Sequence, residues 1–142
     1  MQYSKRGLES LTIPFESCRL EAYQDQRGVW TIGYGHTAHV YRGQTCTEEQ
    51  AEAWLLEDTT IAESAVNRLV HTKLTQGEFD ALVDFTFNVG VGNFSNSTLL
   101  DDLNHAQFEA AANQFEKWDH VSGQVVAGLL RRRLAEKVVF NA

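Results

Sequence analysis

The hydrophobic period of this 142-residue chain turns from strand-like to helical near residue 46, and that change limits the folds open to it. Between Arg19 and Tyr34 the pattern is that of strands, with Val29, Trp30, Thr31 and Ile32 following the turn candidate Asp25-Gln26-Arg27-Gly28. Beyond residue 46 the apolar residues keep a helical period. One hairpin followed by helices predicts an α+β architecture: a small hairpin lobe and a larger helical lobe, joined by a long helix. With 43% apolar residues the chain can bury one core, so residues 1–142 are expected to form a single domain in two lobes.

The long helix should start at a capping box, Thr47 with Gln50, and carry Ala51, Trp54, Leu55, Ile61, Ala62, Ala65, Val66, Leu69 and Val70 inward. A second box, Thr75 with Glu78, opens a helix bearing Phe79, Leu82, Val83 and Phe87 that stops near Gly90 and Gly92. Asn96 or Ser97 caps a short helix, and another holds Phe108, Ala111, Ala112 and Phe115. The last runs from about Val125 to Val139 with Leu130, Leu134 and Val138 inward. Arg131-Arg132-Arg133 then reads as a solvated, dipole-favoured cationic face. At the start, Lys5 to about Thr12 forms a short amphipathic helix whose last turn Pro14 should disturb.

A net charge of −7 offers no general attraction to nucleic acid or an anionic membrane, so neither is an expected partner. Cys18 and Cys46 stand 28 positions apart without ligand spacing, and are expected as two free thiols of a reducing compartment. The histidines show no metal-ligand spacing either, so no metal and no cofactor is expected. The polar opening Met1-Gln2-Tyr3-Ser4-Lys5-Arg6 is not a signal peptide, and no stretch approaches the roughly 18 apolar residues of a membrane span. These features point to a protein made and kept in a cytoplasm, crossing a membrane only with help.

The chemistry lies near the hairpin. Glu16, at a helix end, is followed after eight residues by Asp25 and after five more by Thr31. Two carboxyls facing across a cleft suit glycosidic cleavage, which needs a proton donor and an opposing group that stabilises the cationic centre or activates water. Glu16, flanked by Pro14, Phe15 and Cys18, is the candidate for partial desolvation and hence for the acid. Asp25, in a polar turn, should stay ionised. Strand alternation points Thr31 away from Trp30 and Ile32, and its hydroxyl can hold a water near Asp25. By spacing alone, solvated surface acids would be the ordinary interpretation. His36 reads as a structural histidine paired with an acid more readily than as a base.

The string from Phe15 to His36, with its Glu-x8-Asp-x5-Thr spacing and Ile32-Gly33-Tyr34-Gly35-His36 ending, resembles the phage-type lysozymes, glycoside hydrolase family 24. Phe85 to Gly90, Gly92 to Leu100, Phe115 to Trp118 and Gly128 to Arg133 agree in the same order. The resemblance implies an N-acetylmuramidase cutting the β-1,4 bond between N-acetylmuramic acid and N-acetylglucosamine in bacterial peptidoglycan. It implies Glu16 as general acid, Asp25 as second carboxylate and Thr31 as the residue that places water. Thr37, Phe87, Ser97 and Asn113 would line the glycan, and His36 with Asp58 would form a structural pair. It further implies a monomer that accumulates in host cytoplasm and reaches the wall through a separate membrane-permeabilising protein. Rival readings are a lytic transglycosylase, a wall-binding module without catalysis and a virion-attached wall-piercing domain. Two departures stand out: Ser17 where relatives have Gly, and Pro14 two residues before Glu16.

Overall fold

The computed structural model describes residues 1–142. The first helix, α1, changes pitch twice: an α-helical turn at Lys5–Gly7, a widened π turn at Leu8–Thr12 and a tightened 3-10 turn at Ile13–Phe15. Pro14, which has no N–H to give to the preceding turn, stands where the pitch tightens just before the helix ends. Leu8, Leu11 and Thr12, at positions i, i+3 and i+4, are the buried residues of the widened turn. The chain leaves the helix at Glu16, whose backbone is extended.

Strands β1 (Arg19–Gln24) and β2 (Trp30–Gly33) form the expected antiparallel hairpin, with Tyr23 opposite Thr31 and Gln24 opposite Trp30. On the outer edge of β1 the segment 44–46 adds a short third rung, Cys46 N–H to Leu20 O and Ala22 N–H to Gln44 O, each 2.9 Å. After β2, Ile32 and His36 exchange both backbone hydrogen bonds around Gly33-Tyr34-Gly35. Both glycines are in the left-handed region, and a Cβ on Gly33 would also lie 3.1 Å from that of Ala51. That close approach seats the hairpin on α2 (Glu48–Leu69).

Helix α3 (Gln76–Val89) is the centre of the helical lobe. Its reciprocal Thr75–Glu78 capping box is present, and it buries eight consecutive residues, Phe79 to Thr86. Gly90, at φ 96° and ψ 151°, ends it in a conformation essentially reserved for glycine. The sequence pattern marks only that stop; a further short helix, α4 (Val91–Ser95), follows. Ser97 caps α5 (Thr98–Asn104), and α6 (Phe108–Gln114) continues as a tighter turn over Phe115–Trp118. Phe85 is wholly buried among the edges of Phe94, Phe115 and Trp118, with ring centroids 5.4–6.3 Å away.

Helices are expected throughout the chain after residue 46, and here the structure differs. Strands β3 (His120–Val121) and β4 (Gln124–Val125) form a second hairpin, turned by Ser122 and Gly123 with positive φ at both. The Ser-Gly pair between valines is the sequence signal for this turn. The facing of the last helix, α7 (Ala127–Asn141), is also corrected. Leu134 and Val138 point to solvent, while Arg132, Arg133, Glu136 and Phe140 are buried. Ile61 of α2 is likewise exposed. Arg133 donates to Glu136 (2.7 Å) and Asn88 (2.9 Å) and lies over the Phe85 ring, so its guanidinium has partners within the core. Burial foremost, with the nearby Asp84 charge, pushes Glu136 well above the usual carboxylate range. Both cysteines are free thiols, and no helix is long and apolar enough to cross a membrane.

This facing is testable by chemical denaturation. Phe85→Ala should cost about 3–5 kcal/mol, the usual range for emptying a buried aromatic site. Val138→Ala should stay within about 0.5 kcal/mol, as surface changes do. A loss of several kcal/mol at Val138 would mean that α7 is rotated from the arrangement described.

Candidate active site

Glu16 owes its position to the broken pitch of α1. Its N–H is shared between Thr12 O (3.1 Å) and Ile13 O (3.3 Å), which ends the helix there and turns the side chain toward α7. The Glu16 carboxyl is one-quarter exposed, and its Oε1 accepts a hydrogen bond from Arg132 Nη1 at 2.8 Å. An apolar surround is expected for this acid from sequence; a guanidinium is what the structure puts beside it. Oε2 makes no hydrogen bond within the protein, so one oxygen is fixed and the other faces outward.

Arg132 is itself held. Its Nε and Nη2 donate to Asp84 Oδ2 and Oδ1 at 3.0 and 2.8 Å, a two-point pair with a carboxylate that has no solvent exposure. The side chains of Asp84 and Glu16, strengthened by low polarity around them, stabilise the charged guanidinium against its own desolvation. Asp84 also accepts from Thr12 Oγ1 (2.8 Å) on α1. The Phe15 ring lies 5.9 Å from the guanidinium.

Asp25 stands at the start of the β1–β2 turn. Its Oδ1 accepts the Val29 N–H (3.0 Å) and the Arg27 N–H (2.8 Å), and Oδ2 meets the Arg27 guanidinium at 3.2 Å. The Val29 N–H chiefly, with the two Arg27 donors adding, holds this carboxyl below the usual range and keeps it ionised. The turn is completed by Asp25 N–H to Val29 O and Gly28 N–H to Asp25 O, both 2.9 Å, with Gly28 at positive φ. Thr31 is nearly buried and donates its hydroxyl hydrogen to Val29 O at 3.0 Å, which leaves the oxygen's lone pairs as acceptors.

His36 Nδ1 lies 2.9 Å from Asp58 Oδ2, and the ring stacks on Trp54 at 4.7 Å, nearly parallel. These contacts fasten the end of β2 to α2. Phe87 lines a groove of about 220 Å³ with Asp58, Ala62, Thr86 and Gly90. Asn113 is exposed and lines a separate concavity with Phe108 and Glu109. The Ser97 hydroxyl is buried and committed to the α5 cap, accepting from Leu100 N–H and donating to Phe94 O. Thr37 lies exposed in the loop after His36. These four residues therefore do not share one cavity. No group of three His, Cys, Asp or Glu side chains is arranged to hold a metal ion.

The residues missed from sequence are Arg132, Asp84 and Thr12. The signal for Arg132 is present: positions 132, 133, 136 and 140 form a stripe with the same helical period as 130, 134 and 138. Choosing between the stripes by hydrophobicity alone selects the wrong one.

Known proteins agree with this architecture. The model of the family described as Phage lysozyme matches residues 14–136. An endolysin of Acyrthosiphon pisum secondary endosymbiont phage 1 is 40% identical, covering all of this chain and 99% of its own. That of Salmonella phage P22 is 39% identical over 99% of this chain and 98% of its own. The endolysin of Bacillus phage B103 is 41% identical, and the match spans only 54% of its length. Among solved structures, the muramidase domain of SpmX from Asticaccaulis excentricus superposes with a TM-score of 0.92 at 41% identity, covering 99% and 98% of the two chains. A point mutant of P22 lysozyme gives 0.92 at 37% identity, covering 100% and 99%. With most of its length matched by the family model and near-complete overlap with these relatives, the chain belongs to the phage lysozyme family.

Proposed function

We propose that the protein is a lysozyme of the endolysin type, an N-acetylmuramidase that hydrolyses the β-1,4 bond between N-acetylmuramic acid and N-acetylglucosamine in bacterial peptidoglycan. The observation that carries this reading is the contrast between two carboxyls. Glu16 is fixed through one oxygen and leaves the other unbonded, whereas Asp25 is committed to three N–H donors and stays charged. A proton donor and a permanent anion are the two parts that glycosidic cleavage needs.

In this mechanism Glu16 Oε2 gives its proton to the leaving glycosidic oxygen. The ionised Asp25 stabilises the oxocarbenium-like centre and takes the proton that the attacking water releases as its oxygen bonds the anomeric carbon, and the Thr31 lone pairs accept from that water and orient it. Val29 serves both groups, since its N–H bonds Asp25 and its carbonyl fixes the Thr31 hydroxyl. Phe87, Thr37 and Asn113 are proposed glycan contacts, with Ser97 supporting the wall through its cap. His36 and Asp58 keep the hairpin against α2. The biological setting that follows is lysis of a bacterial wall by a monomer held in host cytoplasm until a separate membrane-permeabilising protein admits it.

Turbidity loss of purified cell walls tests the acid. Glu16→Gln should remain folded and lose activity at least about 100-fold, within the span that positioned acid catalysis contributes; equal clearing by both proteins would refute the assignment. Asp25→Asn should lose more activity than Glu21→Gln on the exposed face of β1, and the opposite order would move the second carboxylate elsewhere. Product analysis separates the chemistries: hydrolysis leaves reducible N-acetylmuramic acid ends, and anhydro sugar ends would favour a transglycosylase.

A further inference from the structure

Behind Glu16 runs a continuous chain of hydrogen bonds that ends at a residue near the start of the protein. Tyr3 Oη lies 2.7 Å from Thr12 Oγ1, and Thr12 Oγ1 lies 2.8 Å from Asp84 Oδ1. Asp84 holds Arg132 at two points, and Arg132 reaches Glu16. Thr12 has a single hydroxyl hydrogen, and the ionised Asp84 can only accept, so that hydrogen is spent on Asp84. The hydrogen between Tyr3 and Thr12 must then come from Tyr3. Burial first, and the Asp84 charge next, raise the Tyr3 phenol far above its usual range and keep it a donor.

We propose that Tyr3, Thr12 and Asp84 form a buried strut that sets the place of the Glu16 carboxyl through Arg132. None of the three faces a substrate; they are positioning residues for the proton donor. The inference rests on the assignment of Glu16 as that donor.

Geometry gives the strut its leverage. The Nε/Nη2 edge of the guanidinium is taken by Asp84 and Nη1 by Glu16, so the planar group transmits a shift at one edge to the other. Asp84 Oδ1 accepts from both Arg132 and Thr12. Loss of the Thr12 hydroxyl removes one of the two directions that fix that oxygen and leaves the Tyr3 hydroxyl without a partner. The other charged groups of this interior are engaged separately: Arg133 with Glu136 on α7, and Asp80 on α3 with Ser4 and Gln76. They do not substitute for Thr12 at Asp84.

A bond that merely glues α1 to α3 would give the same stability loss on removal, so the test must read the reaction. The Ser4–Asp80 pair is such a bond: it joins the same two elements and does not lead to Arg132. The kcat and KM of Thr12→Val, Thr12→Ser, Tyr3→Phe and Ser4→Ala would be measured on purified glycan strands, with thermal unfolding of each. Thr12→Val should lower kcat about tenfold with KM within about twofold, a fraction of the roughly 100-fold that a 1 Å misplacement costs. Thr12→Ser should restore kcat, Tyr3→Phe should lower it about threefold, and Ser4→Ala should lower the unfolding temperature with kcat unchanged. Should Thr12→Val fail to fold, Tyr3→Phe decides: unchanged kcat in a folded protein overturns the strut. So does a Thr12→Val with wild-type kcat, or a Ser4→Ala that loses as much kcat as Thr12→Val. If Glu16→Gln itself stays active, the acid assignment fails instead, and the two failures are told apart by that variant.

Discussion

One guanidinium, that of Arg132, sits where the helical lobe meets the start of the hairpin lobe, and its hydrogen bonds decide how the two halves of the site are joined. Two of its N–H groups are spent on an unexposed carboxylate of α3, and a third reaches the carboxyl that follows α1. Burying such a charge is expensive, and removing either partner of a buried pair typically costs about 3–5 kcal/mol. Placed here, the expense fixes an orientation. Three elements far apart in the chain, α1, α3 and α7, must be correctly packed before Glu16 has its partner.

The pitch changes of α1 serve the same junction. Leu8, Leu11 and Thr12, spaced i, i+3 and i+4, are buried on one face of this helix, and the tightened turn at Pro14 then releases the chain at Glu16. The hairpin is simpler. Asp25 and Thr31 are both oriented by the Val29 peptide, so the second half of the site is assembled within a single turn and needs the helical lobe only as a seat. That seat is the contact of Gly33 with Ala51 and of His36 with Trp54 and Asp58.

How much of this could be read from sequence follows from which signals are local. The Thr75–Glu78 box, the Asp25–Gly28 turn and the strand-forming residues up to Ile32 are local signals, and the cap, the turn and the hairpin appear where those residues put them. The membership in a lysozyme family was legible from ordered motifs spread over the chain. What escaped was non-local. The inward turning of Arg132 and Arg133 depends on Asp84 and Asn88, more than forty positions away, and hydrophobicity assigns Leu134 and Val138 to the core in their stead. A buried arginine is legible only once its carboxylate is known. The β3–β4 hairpin escaped for another reason: two-residue strands are too short to show alternation, leaving only the Ser122-Gly123 turn as a sign.

The central claim, that Arg132 is a locked guanidinium rather than a solvated one, can be measured without any substitution. Nitrogen-15 NMR resolves arginine Nε–H groups and reports how fast each exchanges with water. Arg132 Nε–H, bonded to unexposed Asp84, should exchange far more slowly than that of the exposed Arg131, and should show restricted rotation about its Nε–Cζ bond. Exchange of the two groups at similar rates would contradict the account.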